Sequence, residues 1–384
     1  MKVAVLDISG KVDNYSTYLC EALQKEIGNN GVVTFLNTKV IDGFNGRFQK
    51  LLNLVPRKYW YCEYKWKRII KAIEGIFNYF FVAYYVRRHK VDIVHLQWLP
   101  FMEHISIEDF FVRLIRGKNH KRKIVYTHHN LYPHKSSEIE KESYRKRFER
   151  IKPYIDVYIV HTDVDRIKLH KEFSIPIDKI NVALHGVFVP REAIYSPVQH
   201  KGGKLNFLMF GAQTGYKGTD IFIEAINRIP KEEREKMTFT IMGLTDLPLF
   251  DKYKGMADSL NIRWTPTTVS NAELHTTINE SDVVVFPYRS ISQSGALLLT
   301  IYFEKYIIAS DLQSFKETLT GFNNQWFFHT EDIDGLANQM MLHLDETNFE
   351  GEKEIIKDIK KANSWEVSAK STIEVYNKVL TQQE

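Results

Sequence analysis

The chain has 384 residues, of which 44% are hydrophobic and 26% charged, an ordinary globular balance in a length that favours two cores over one. Its two cysteines, Cys20 and Cys62, show neither CxxC spacing nor a Cys/His cluster, which excludes a disulfide framework and a cysteine metal site and suits a reducing, cytoplasmic compartment. The net charge of +5 hides an asymmetry: residues 1–190 carry 32 Lys/Arg against 20 Asp/Glu, and residues 191–384 carry 20 against 27. A basic half is drawn to nucleic acid, an anionic lipid surface or a phosphorylated substrate, and composition does not choose among them.

The opening "MKVAVLDISG" reads as a strand and a glycine turn rather than a secretory leader. "KVAVLDI" (Lys2–Ile8), a helix over Asn14–Gly28 with Asn14 as N-cap, and "GVVTFLN" (Gly31–Asn37) give a βαβ start. The segment Arg57–Lys90 places six basic residues in its first fifteen and follows them with Tyr, Trp and Phe, a helix suited either to a headgroup interface or to a core with solvated lysines. Its longest nearly apolar run, Gly75–Tyr85, falls short of the roughly 20 residues that span a bilayer. "RLIRGKNHKRK" (Arg113–Lys123) adds a second basic cluster. Strands over Asp92–Trp98, Lys123–His129, Val157–Thr162 and Ile180–Gly186 alternate with helical patterns, which implies a parallel sheet.

Periodicity stops at Val189–Lys204, where Pro, Gly and Ser mark a linker, and the strand–helix rhythm then restarts from "LNFLMFG". The expected organisation is an α/β protein of two doubly wound Rossmann-like domains, 1–190 and 191–365. A C-terminal helix over 366–384 is expected to pack back on the first domain. Sites are expected where loops leave the carboxyl ends of strands.

Two such loops stand out. In "FGAQTGYKGTDIFIEA" (Phe210–Ala225), Gly211, Gly215 and Gly218 surround Lys217 just before a helix. Backbone N–H groups and the positive end of a helix favour an anion there, and Lys217 adds a mobile charge. The spacing fits neither GxGxxG nor the P-loop, and alone it also describes a solvated lysine in a turn. In "SQSG" (Ser292–Gly295), Ser294 and the N–H groups of Gly295 and Ala296 begin another helix and are suited to a diphosphate, or simply to a cap. Both loops leave strands of one domain, which favours a shared ligand.

With "FGAQTGYKGTDIFIEAI", "FTIMG" and "VVVFPY…SGALLLTIYFEKYIIASDLQSFKETL", and with "VHLQW", "VYTHHNLYPH" and "NVALHGV" in the first half, the chain resembles the GT-B glycosyltransferases. Among these the group-1, family-four-like nucleotide-sugar enzymes are the most similar. The resemblance implies two domains facing each other across a cleft, with transfer of a sugar from a nucleotide-sugar donor on the C-terminal domain to an acceptor on the N-terminal one. It makes His129, in the TxHN segment, a catalytic candidate beside Lys217. Donor contacts would come from Gly211, Gln213, Gly215, Lys217, Gly218, Ser292, Ser294, Gly295 and Thr300, and acceptor contacts from Gly10, Trp98 and His129. The chain departs from the family where a glutamate pair flanks the donor helix: Ser292 and Thr300 stand there, and Ala212 and Gln213 replace a basic residue before Lys217.

The acceptor is expected to be a glycan or a lipid-diphosphate-linked species, with an anionic membrane surface as partner and a peripheral place on the inner face of the cell membrane. Nucleic acid is not expected, since no binding module for it is recognisable. No cofactor and no metal are expected, because DxD-like pairs at strand ends are absent; "TDVD" (Thr162–Asp165) reads as a helix cap. Asp7, Glu103 and His104 are further candidates for a base, and a retaining outcome is favoured over an inverting one. A nucleotide-sugar epimerase and a catalytically silent binding protein of the same fold are the competing readings.

Overall fold

The computed structural model describes residues 1–39, 43–54, 65–118, 121–132, 137–190, 203–321, 326–345 and 351–381. Most of the expected linker, Cys62 and the first part of the Arg57–Lys90 segment lie outside the described residues.

The chain divides into two compact units, Met1–Gly186 with Trp365–Glu384, and Val187–Ser364. Unit 1 runs β1 (Lys2–Asp7), α1 (Asp13–Ile27), β2 (Val32–Asn37), β3 (Arg47–Lys50), α2 (Lys65–Arg88), β4 (Ile93–Trp98), α3 (Glu108–Arg116), β5 (Lys123–Thr127), α4 (Glu138–Ile151), β6 (Val157–Val160), α5 (Asp163–Phe173) and β7 (Ile180–Val182). Its seven strands lie in the order β3-β2-β1-β4-β5-β6-β7, all parallel. Strands covered on both faces need apolar residues on both. Ala4, Leu6, Val94 and Leu96 face one core, and Val3, Val5, Ile93 and Val125 face the other.

Unit 2 runs β8 (Leu205–Phe210), α6 (Thr219–Arg228), α7 (Lys231–Arg234), β9 (Met237–Met242), α8 (Leu247–Ser259), β10 (Arg263–Thr265), α9 (Asn271–Glu280), β11 (Val283–Phe286), α10 (Gly295–Tyr302), β12 (Tyr306–Ser310), α11 (Gln313–Thr318), β13 (Phe327–Phe328), α12 (Ile333–Leu342) and α13 (Glu352–Ala362). Its parallel sheet has the order β10-β9-β8-β11-β12-β13 around a single apolar core. The last helix, α14 (Trp365–Thr381), returns to unit 1, where Trp365, Ala369, Val375, Tyr376 and Val379 join α1 over the second core. The Tyr376 hydroxyl lies 2.6 Å from His95 Nδ1 on β4.

In both sheets the strand order reverses beside the first strand of the unit, between β1 and β4 and between β8 and β11. Loops diverge at the carboxyl ends there, leaving space for a ligand.

Two local expectations change. Asn14 is not the cap of α1: the helix starts at Asp13 after Val12, without a side-chain cap. The capping is done from β1, where the buried Asp7 carboxylate accepts from Val12 N at 2.9 Å and Lys11 N at 3.3 Å. The apolar stretch of α2 is also longer than the run counted from sequence: Ile69–Arg88 has the length and composition of a membrane span, with 39% of its apolar window buried in the protein.

Candidate functional site: an anion cradle in unit 2 and a histidine relay in unit 1

In unit 2 the two loops singled out from sequence meet through a third residue. Lys217 ends a short 3-10 turn after β8 and is buried; its ammonium donates to the Tyr288 hydroxyl at 2.7 Å. Tyr288, just after β11 and fully buried, lies close to Ser294. Ser294 caps α10, accepting from Leu297 N at 3.2 Å, so Lys217 and the start of that helix lie against the same phenol. The backbone is tight. Gly218 has φ +71°, and a Cβ there would sit 1.9 Å from the Pro287 carbonyl oxygen. A Cβ on Gly211, at φ +97°, would lie 2.9 Å from the Lys217 ammonium.

The loop is held from outside by Arg289. Its guanidinium takes both oxygens of Asp220 at 2.9 and 2.8 Å, donates to the Gly215 carbonyl at 2.7 Å and pairs with Glu331 at 2.6 Å. Although burial works against it, this pairing keeps the Asp220 carboxyl below its ordinary range. Lys217 has no such counterpart: among the described residues no carboxylate pairs with it, and burial lowers its pKa from 10.5 to about 8. A buried cation held by a neutral hydroxyl, next to a helix N-terminus, is arranged for an incoming anion.

The other donor candidates divide. Gly215 and Gly295 are exposed and Ser292 half-buried, within the same two loops. Gln213 and Thr300 are turned inward, which corrects their reading as donor contacts. Gln213 is fully buried, donating to the Gly211 carbonyl and accepting from Thr219, both at 2.7 Å. Thr300 is fully buried and donates to the Ala296 carbonyl within its own helix at 2.9 Å. A cavity of about 580 Å³ in unit 2 opens at the amino ends of β8, β9 and β10 among Lys204, Asn206, Thr238 and Arg263, on the opposite edge of the sheet. Convergent chemistry, not cavity size, marks the candidate site.

In unit 1, Gly10 and Trp98 stand at the strand-order reversal. Gly10 forms the buried turn after β1, beside Asn37 and Thr38. Trp98 ends β4 with one ring face covered by the Lys11 ammonium at 4.0 Å, and Lys11 is paired with Glu103 at 2.7 Å. A sugar stacking on that face would have to displace Lys11. Of the suggested bases, Asp7 is committed to the β1–α1 loop, Glu103 to Lys11, and His104 is exposed.

His129 follows β5 and sits in a chain of imidazoles. His161 Nδ1 lies 3.0 Å from the Ala183 carbonyl, to which it can only donate, so neutral His161 accepts at Nε2 from His129 Nδ1 at 3.2 Å. His129 Nε2 is then an acceptor, and the Gln97 side chain 3.1 Å away must present its amide nitrogen. That orientation also supplies a partner to the buried Gln97 Nε2, which otherwise has none. Burial and the neighbouring histidines hold His129 well below its ordinary pKa, and Tyr15 packs edge-on to it at 4.7 Å. The sequence reading missed Tyr288, Arg289, His161 and Gln97. Each lies at or just beyond a strand's carboxyl end.

Two parallel α/β units, each with a strand-order reversal, have the Rossmann-like, two-domain architecture of the GT-B glycosyltransferases. Residues 204–346 match the model of the family "Glycosyl transferases group 1". Sucrose-phosphate synthase from Thermosynechococcus elongatus superposes with a TM-score of 0.69 at 14% identity over 100% of both chains. The catalytic domain of starch synthase IV from Arabidopsis thaliana, bound to ADP and acarbose, superposes at 0.70 with 12% identity over 99% of both. Anabaena HepE in complex with UDP-glucose gives 0.63 at 12% identity over 100% of this chain and 99% of that one. No curated protein matches the sequence. The family match over residues 204–346 supports glycosyl transfer as the general activity, and the solved structures show the fold. Among the described residues, no three His, Cys, Asp or Glu side chains are grouped to hold a metal.

Proposed function

We propose that the chain transfers a sugar from a nucleotide-sugar donor held by unit 2 to a glycan or lipid-linked acceptor held by unit 1, with retention of configuration. The observation that carries the donor assignment is the buried Lys217 ammonium, which no carboxylate among the described residues pairs with and which donates to Tyr288 close to the Ser294 helix cap. As the sugar–phosphate bond breaks, negative charge grows on the nucleoside diphosphate. A preorganised ammonium and helix terminus stabilise that charge more than they stabilise the intact donor. His129, neutral and fixed by His161, is assigned to the transferred sugar. With cationic charge supplied by the protein, turnover is expected to persist in chelator.

A panel of nucleotide sugars is tested first for thermal stabilisation and then, with acceptor present, for release of free nucleoside diphosphate. Lys217→Ala should cost about 2–4 kcal/mol of transition-state stabilisation while leaving the fold intact. Wild-type turnover in that variant would refute the donor assignment. The catalytically silent reading draws support from Thr300, whose hydroxyl is spent inside its helix where family members carry a carboxylate. Donor binding without diphosphate release under any acceptor would favour it, and interconversion of the donor sugar without release would favour an epimerase.

A further inference from the structure

Helix α2 carries an unusual run of exposed apolar side chains among the described residues. Trp66, Ile69, Ile73, Phe77, Phe80, Phe81 and Tyr84 are all exposed, Phe77 and Tyr84 to 63% each. At about 100° per residue these seven positions fall within an arc of about 120°, forming a stripe about 27 Å long. The opposite side of the helix is fixed to unit 1. Tyr79, Val82, Ala83 and Val86 are buried in its core, Tyr79 donates to the buried Glu108, and Asn78 takes both backbone groups of Leu52 at 2.8 and 3.0 Å.

We propose that this stripe is a membrane-docking surface, and that α2 lies in the plane of the headgroup–acyl boundary with the seven side chains inserted. The anchoring of its other face argues against a spanning orientation, although Ile69–Arg88 is long and apolar enough to span. Charge selects a lipid surface over a protein. The sole carboxylate of the helix, Glu74, is buried, accepts from Leu54 N at 2.6 Å and pairs with Lys71. Basic residues bracket the stripe: Lys65, Lys67 and Arg68 in the sequence at one end, and the exposed Arg87, Arg88 and Lys90 at the other. Aromatic and aliphatic side chains between cationic ends match an apolar boundary beneath anionic headgroups. This inference stands independently of any sugar chemistry.

The test is co-sedimentation with phosphatidylcholine vesicles containing phosphatidylglycerol, together with quenching of tryptophan fluorescence by brominated lipid. Wild type should bind, retain a salt-resistant fraction, and lose part of its quenching in Trp66→Phe. Ile73→Ser/Phe77→Ser/Tyr84→Ser should reduce partitioning by about a hundredfold at unchanged melting temperature. Ile139→Ser, on the 81%-exposed isoleucine of α4, should change nothing. Undiminished binding of the triple variant, complete loss of wild-type binding in high salt, or unquenched Trp66 would overturn the proposal. So would a concentration-dependent dimer that the triple variant abolishes. If the triple variant proves unstable, Trp66 quenching in the wild type still decides.

Discussion

Replacing Lys217 by methionine should make the ligand-free protein more stable. The drop of the Lys217 pKa from 10.5 to about 8 corresponds to about 3 kcal/mol of destabilisation carried by the charged form in the folded state. Methionine fills similar volume without charge but gives up the 2.7 Å hydrogen bond to Tyr288. Allowing about 1 kcal/mol for that bond leaves a net gain of about 2 kcal/mol at neutral pH. For a unit the size of Val187–Ser364 this raises Tm by about 4–8 °C. Because the folded-state pKa lies below the unfolded one, the unfolded chain holds more protons between pH 8 and 10.5. Wild-type stability therefore rises with pH through that window, and the advantage of the variant shrinks across it. Calorimetry of both proteins at pH 7 and near pH 10.5, with and without a nucleoside diphosphate, reads all of these quantities. A variant that melts below wild type at pH 7, a Tm gap independent of pH, or undiminished stabilisation by the diphosphate would each refute the reasoning.

Other expectations follow from the same coordinates. Gly218→Ala should destabilise unit 2 by at least about 2 kcal/mol in urea denaturation, since its Cβ meets the Pro287 carbonyl at a positive φ. Arg289→Lys should weaken nucleoside diphosphate binding about tenfold in titration calorimetry, because the two-oxygen grip on Asp220 is lost and the loop carrying Lys217 loosens. Acidification should unfold unit 1 first. Burial lowers the pKa of His95, His128, His129, His161 and His185, so the unfolded chain takes up protons below pH 6.5. Stability then falls by about 1 kcal/mol for each of His95, His128 and His185 by pH 5.5, which hydrogen exchange resolved by unit would measure.

The β-branched strand runs and the glycine punctuation made both sheets readable, because strands buried on two faces leave little choice of residue. β3 was not readable. Arg47–Lys50 is a short edge strand with partly exposed residues, and its membership depends on pairing with β2 rather than on its own pattern. At the site, Lys217 and Ser294 announced themselves by position, but Tyr288 did not. A tyrosine after a buried strand reads as core, and only the three-dimensional meeting of two loops shows that its hydroxyl joins them. Thr300 misled for the converse reason: alignment assigns a place along a helix but not the direction of a hydroxyl, and a threonine in a buried turn satisfies itself on the carbonyl four residues back. Gln213 misled in the same way, as a polar residue in an anion-binding loop that braces the loop from within.

The return of α14 to unit 1 sets an order of events during synthesis. Unit 2 is an insertion whose ends are tied together, Val187 N donating to the Asn363 carbonyl at 2.7 Å, so its whole sheet can close before α14 is made. Unit 1 begins first and finishes last: the apolar face over β1 and α1 stays open until Trp365, Ala369 and Tyr376 emerge. Emerging from the ribosome, the chain must therefore carry an unfinished first domain through the synthesis of an entire second one. That is an interval in which a chaperone has a defined surface to hold, and in which a stop codon before Trp365 would leave a complete second unit attached to a first that cannot close.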